Sequence, residues 1–175
     1  MYAITIGSKK ISVANNKVYI IAEAGVAHFG SLRLAKKLVD LAKSSGADAV
    51  KFQAYITKEF ISENYKKWFN RYKSKEVDLK FLSKVNDYCR KKKIQFLLTP
   101  HSESTIDWIK KLKIPAIKIG SGEIGNFLYL DKVLKLKTPL IISTGMHNKL
   151  EINKLKKFFF KKKFNKVIFL KCKTS

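Results

Sequence analysis

Apolar and polar residues follow one another in blocks along this chain. Six short apolar runs stand out, at 18–23, 49–54, 94–99, 116–119, 139–145 and 166–170. Between them, apolar residues recur at three- and four-residue spacing, which predicts helices over 31–45, 78–92, 104–111, 128–136 and 150–160. In the first helix Ser31 is placed to cap, Leu34, Leu38, Leu41 and Ala42 form the expected apolar stripe, and Gly46 ends it. In 78–92 the stripe is Leu79, Leu82, Val85 and Tyr88. Residues 2–13 alternate as two short strands about Gly7-Ser8, a hairpin pattern, and Asn15-Asn16 breaks the chain after it. The stretch 55–75, polar and aromatic, reads as a long loop. Core packing is the plain role for its Trp68, Phe69 and Tyr72, and shaping a pocket is the alternative.

Continuous apolar runs alternating with helices imply strands covered on both faces, hence a parallel sheet and an α/β class. An open doubly wound sheet and a (β/α)8 barrel both satisfy this pattern, and both place function at the carboxyl ends of the strands. No GxGxxG follows the first run, which weakens a dinucleotide reading of the open sheet.

Composition narrows the class further. The chain has 175 residues, 46% hydrophobic and 29% charged, enough for one domain with a real core and unlike a disordered chain. No apolar run approaches the roughly 20 residues of a membrane span, and the first residues lack the regions of a signal peptide, so a cytoplasmic protein without membrane contact is the expectation. Cys89 and Cys172 lie far apart and show no metal spacing, and free buried thiols are the plain reading. The net charge is +24, nearly all from lysine, with arginine only at Arg33, Arg71 and Arg90. Lysines spread along helix faces read as solvated surface, although such a field also steers anionic substrates. Without an arginine-rich motif, no specific nucleic-acid partner is expected, and only salt-sensitive nonspecific contact stays open.

The strand tips are all polar: Glu23, Lys51 with Gln53, Thr99, the run Lys118 to Glu123, and Ser143-Thr144-Gly145. A lysine between Ile117 and Ile119 is costly unless it meets an anion. Gly120-Ser121-Gly122 lets backbone amides approach such an anion, and Ser121 adds a hydroxyl. Together with Lys51, Thr99 and Ser143 this makes a cradle suited to a phosphate and a carboxylate. Plainer roles compete: Lys51 snorkelling to water, Glu23 paired with a neighbouring lysine, Thr99 and Ser143 ending strands. Glu23 and Glu123 are the candidates for acid–base work or for binding hydroxyls. His28, His101 and His147 are scattered, so a histidine metal site inside the chain is not expected, and His28 can simply hold its loop.

These residues resemble the sialic acid synthases of the N-acetylneuraminate synthase type and their legionaminate and pseudaminate relatives. The likeness is carried, in order, by 21–25 with His28 and Gly30, by 46–53, Thr99-Pro100, Ile106-Asp107, 115–123, Asn126 and 142–146. The resemblance implies the amino-terminal part of a (β/α)8 TIM barrel, about six βα units with a short hairpin in front and no carboxy-terminal antifreeze-like (SAF) domain. The implied reaction condenses phosphoenolpyruvate with an N-acylated amino sugar such as N-acetylmannosamine, giving a nonulosonic acid and phosphate. A divalent metal, manganese or magnesium, would polarise the sugar aldehyde, its ligands lying outside this chain. Lys51, Gln53, Thr99, Lys118, Ser121 and Ser143 would hold phosphoenolpyruvate, and Glu23 and Glu123 would contact the sugar and assist proton transfer.

Departures from the family pattern are specific. Ala27-His28-Phe29-Gly30 replaces a loop usually reading Asn-His-Asn-Gly, His101-Ser102 replaces Phe-Asp, and Lys171 stands where a histidine usually precedes Cys172. Six strands cannot close an eight-stranded barrel. The expectation is therefore a chain carrying the phosphoenolpyruvate half, inactive alone, partnered by its own copies or by a complementing carboxy-terminal fragment. A degenerate, non-catalytic fragment that binds an anionic ligand or a protein is the alternative.

Overall fold

The computed structural model describes residues 3–12, 14 and 18–172. The expected strand positions Tyr2 and Val13, the break at Asn15-Asn16 and the residues after Cys172 lie outside them. The chain divides into two compact units, one of residues 16–115 and one of residues 1–15 with 116–175.

The first unit is a run of βα repeats. Strands β3 (Ile21–Gly25), β4 (Ala49–Ala54) and β5 (Gln95–Pro100) pair in parallel, and helices α1 (Leu32–Ser44) and α4 (Leu79–Lys91) follow β3 and β4. Helix α5 (Glu103–Lys111) follows β5. The side chain of Ser31 caps α1 by accepting from the Leu34 amide at 3.3 Å, and Asp78 caps α4 by accepting from Phe81 at 2.7 Å.

Three expectations are corrected in this unit. Helix α1 buries Ala35, Val39 and Ala42, while Leu41 is 54% exposed. The stripe is rotated toward the small residues, which let the helix approach closely. The stretch 55–75 is not a structureless loop but holds helices α2 (Thr57–Phe60) and α3 (Lys66–Lys73). Helix α3 buries no residue: Trp68 is half exposed under the Arg71 guanidinium, and Tyr72 meets Tyr55 and Phe60 edge-on. Finally, the first apolar run is only partly strand. Val18 and Ile20 are exposed, and pairing starts at Ile21.

The second unit has hairpin β1 (Ala3–Ile6) and β2 (Lys9–Ser12), antiparallel with Ala3 opposite Ser12. Its parallel strands are β6 (Ile117–Ile119), β7 (Leu140–Ser143) and β8 (Val167–Leu170), alternating with α6 (Phe127–Leu134) and α7 (Lys149–Lys161). Ile117, Ile119, Leu140, Ile141 and Ile142 are almost wholly buried. All four residues of β8 are only half-buried, which corrects the expectation that every apolar run is covered on both faces. No helix among the described residues is long and apolar enough to cross a membrane.

Candidate functional site

In the first unit the ladder register decides which tip residues share a face. Glu23 lies opposite Lys51, and Gln53 opposite Thr99. Partners across parallel strands point the same way, as do residues two apart along one strand, so Glu23, Lys51, Gln53 and Thr99 face one side. The Lys51 Nζ donates to Thr99 Oγ1 at 3.0 Å and lies 2.8 Å from Glu23 Oε2. Lys51 is 3% exposed and Thr99 2%, whereas the Glu23 side chain is 59% exposed. Lys51 is thus not a snorkelling lysine. Its charge is buried, and the carboxylate that offsets the desolvation reaches in from solvent. Next to this pair the β3–β4 register slips between Glu23 and Gly25, and Gly25 takes a left-handed φ of 54°. That bulge turns the chain out of the ladder just past Glu23. Gln53 is half-buried on the same face.

The loop that follows is held by His28, which is fully buried. Its Nδ1 accepts from the Gly30 amide at 3.0 Å, and its ring packs between Phe52 and Phe81. Burial first, and the nearby Lys75 charge second, lower its pKa from 6.5 to about 4. The imidazole is therefore neutral, with its proton on Nε2, which finds no hydrogen-bond partner.

In the second unit Lys118 and Ser143 share a face, since Lys118 pairs with Ile141. The Lys118 Nζ donates to the Ser143 hydroxyl in a short hydrogen bond and to the Ile119 carbonyl at 3.1 Å. Cys172 sits beside Ser143. The Ser143 hydroxyl, then the Thr144 and Gly145 amides and the Lys118 charge, hold its thiol below the usual range against the opposing effect of burial. The segment Ser121–Glu123 forms a single 3₁₀ turn, in which the Glu123 amide donates to Gly120 and the Ile124 amide to Ser121. Glu123 accepts from Asn126 Nδ2 at 3.1 Å.

A residue that sequence reasoning left unassigned ties this turn down. His147 Nε2 donates to the Ser121 carbonyl at 2.8 Å, and its Nδ1 lies 3.3 Å from Glu151 Oε2. His147 stands just before the Asn148 cap of α7, so its contact with Glu151 belongs to the capping turn, whereas the reach to Ser121 spans 26 positions and no local pattern marks it. Among the described residues no three His, Cys, Asp or Glu side chains stand together as a metal-holding group.

Each unit therefore carries one strand-tip lysine bonded to a strand-tip hydroxyl. The sequence pattern of the NeuB family matches residues 38–175. The chain belongs to the NeuB family. It is 42% identical over 149 residues to the N,N'-diacetyllegionaminic acid synthase of Campylobacter jejuni, covering 78% of this chain and 45% of that protein. Against the N-acetylneuraminate-9-phosphate synthase of Drosophila melanogaster it is 34% identical over 145 residues, covering 75% of this chain and 38% of the other. Among solved structures, the N-acetylneuraminic acid synthetase of Leptospira borgpetersenii, in complex with citrate, superposes with a TM-score of 0.92 at 36% identity. That match covers 99% of this chain and 60% of the other. The fold is thus an incomplete (β/α)8 TIM barrel with a short amino-terminal hairpin, and the open doubly wound sheet is set aside. This NeuB-family chain spans about half the length of the curated relatives it matches.

Proposed function

We propose that this chain carries the phosphoenolpyruvate-binding half of a synthase that condenses phosphoenolpyruvate with an N-acylated amino sugar, N-acetylmannosamine-like, to a nonulosonic acid. The sialic, legionaminic and pseudaminic acid synthases among its relatives support this reading. The observation that carries it is the Lys51 arrangement: a buried ammonium on a strand tip, held by Thr99 and by a carboxylate that solvent reaches. A permanent structural ion pair needs no exposed partner. Here the Glu23 carboxylate can be exchanged for a carboxylate or phosphate oxygen of a ligand while Thr99 keeps Lys51 in place.

Within this reading Lys51, Gln53, Thr99, Lys118, Ser121 and Ser143 are the residues that bind phosphoenolpyruvate. The lysines supply charge and the hydroxyls supply direction. The nucleophile is carbon 3 of the enol ester, which adds to the open-chain aldehyde of the sugar. Water adds at carbon 2, and the carbon–oxygen bond to phosphate then breaks. Glu23, displaced from Lys51, takes a sugar hydroxyl or the proton of the attacking water, and Glu123, oriented by Asn126, is the second such group. A divalent metal, manganese or magnesium, would supply Lewis-acid polarisation of the aldehyde. The described residues offer no ligand set for it.

The partner in this reading is a second copy or a carboxy-terminal complement, and the chain alone is inactive. Calorimetric titration tests the binding half. Phosphoenolpyruvate binds the wild-type chain, and Lys51→Ala weakens that binding strongly. Co-expression with the carboxy-terminal half of a relative, with manganese, restores condensation; an assembled, metal-loaded complex without turnover overturns the reading. The loop at Ala27–Phe29 favours a second reading, a non-catalytic fragment that binds an anion or a protein. Phe29 takes a left-handed φ of 47° and is 61% exposed, with Lys75 over its ring. A chain that binds phosphoenolpyruvate but never turns over in any assembled complex fits that reading.

A further inference from the structure

Most of the lysines belong to no strand tip, and in the second unit five of them converge elsewhere. Lys135, Lys137, Lys162, Lys163 and Lys166 line a cavity of about 530 Å³ with Leu134 and Phe164 among its apolar walls. These residues lie at the carboxyl end of α6, at the carboxyl end of α7, and in the turns that lead into β7 and β8. That is the opposite end of the strands from Lys118 and Ser143. Asp131 is the one acidic residue in the lining, and it is taken up by Lys162 at 2.6 Å. Among the described residues no carboxylate pairs with Lys135, Lys137, Lys163 or Lys166. Four like charges therefore share one concave surface without local compensation.

The left-handed backbone at these helix ends is shared with other helices, since Lys93 and Lys113 hold the same conformation after α4 and α5. Lys137 and Lys163 hold left-handed φ of 55° and 52°, the conformation that follows a helix and that Gly46 supplies after α1 with φ 77°. A side chain there costs about 1 kcal/mol relative to glycine. Lysine near a helix end gains from the dipole, which accounts for a basic residue in each last turn. It does not account for four exposed ammonium groups gathered around one concave surface, where a multiply charged anion would meet all of them at once.

We propose that this cavity binds a linear oligophosphate, the group shared by nucleoside triphosphates and inorganic tripolyphosphate. Four ammonium groups match a chain of phosphates carrying about the same number of negative charges. A single phosphate or carboxylate would satisfy only part of them. The apolar walls at Leu134 and Phe164 leave room for a base beside the phosphates. This site is separate from the strand-tip residues and holds whether or not those bind phosphoenolpyruvate.

The test is titration of the full chain with tripolyphosphate, with ATP, with adenosine and with orthophosphate at 0.05 and about 0.15 M salt. Tripolyphosphate and ATP are expected to bind, at least tenfold more tightly than orthophosphate, with affinity falling as salt rises. Tighter binding of ATP than of tripolyphosphate assigns the nucleotide as the source, and equal binding assigns the phosphate chain alone. The double variant K135E/K166E lowers tripolyphosphate affinity at least tenfold, and K135R/K166R retains it. Hydrogen-exchange protection by tripolyphosphate at 134–137 and 162–166 locates the site even if the charge-reversal variant fails to fold. The proposal is overturned if tripolyphosphate does not bind, if K135E/K166E folds and binds unchanged, or if protection falls elsewhere.

Discussion

Two lysines in similar strand positions are handled differently by their surroundings. Lys51 is sealed, 3% exposed, and its charge is met by the Glu23 carboxylate at 2.8 Å. Lys118 is half-buried and reaches neutral oxygens, the Ser143 hydroxyl and the Ile119 carbonyl, beside a thiol whose pKa is lowered. In the first case a solvent-exposed acidic side chain supplies the countercharge. In the second the protein presents a positive, polarising surface to which Cys172 itself responds. Desolvation sharpens the demand at Lys51, because a lysine fully removed from water needs an anion.

Thiol chemistry gives the largest expected contrast between the two units. Burial pushes the Cys89 thiol up to about 12, whereas Cys172 is held below its usual 9. Iodoacetamide at pH 7.5 should alkylate Cys172 at least about a thousandfold faster than Cys89, as read by peptide mass spectrometry. Equal rates would mean that Ser143 and Lys118 do not act on the thiol.

Acid stability comes next. His28 has a folded pKa of about 4 against 6.5 for the free side chain. The unfolded chain therefore takes up the proton first, and the first unit loses stability as pH falls from about 6.5 to about 4, on the order of 3 kcal/mol in all. In the second unit the Asn148 amide and His147 hold Glu151 below its usual 4.5. Its contribution is present above that value and is lost only as pH falls through the lower, folded pKa. Hydrogen exchange followed from pH 7 to 4 should show residues of 18–115 loosening first. A H28Q variant should flatten that response, and simultaneous loosening of both units would remove the distinction.

Ligand affinity should separate the two lysines more modestly. Lys51→Ala is expected to weaken phosphoenolpyruvate binding roughly a hundredfold, and Lys118→Ala about tenfold. A larger loss at Lys118 would reverse their ranking. The smallest effect is on stability. Lys51→Met should change the unfolding free energy in urea by no more than about 1 kcal/mol, because the released Glu23 is already open to water. A loss of several kcal/mol would show the pair to be structural first.

Much of this architecture was legible from residue patterns. The strand positions followed from apolar runs, and the cap at Ser31 from a side chain that competes for free amides. The face shared by Lys51, Gln53 and Thr99 follows from a period of two once the register is known, and register is a tertiary fact. Helix α3 escaped detection because it buries nothing, so no apolar stripe marked it. The buried stripe of α1 departs from the leucine pattern because leucine signals apolarity more strongly than alanine, while packing against a sheet favours the smaller residue.

The sequence alone determined that apolar strands alternate with helices and that lysines and hydroxyls gather at their tips, because periodicity and composition are local properties of a chain. Only the tertiary structure decided that Glu23 and Thr99 hold Lys51, that His147 reaches Ser121, and that four unpaired lysines share one cavity. Those pairings join residues tens of positions apart, and the cost of leaving a charge without a partner is set by burial, which no linear pattern records.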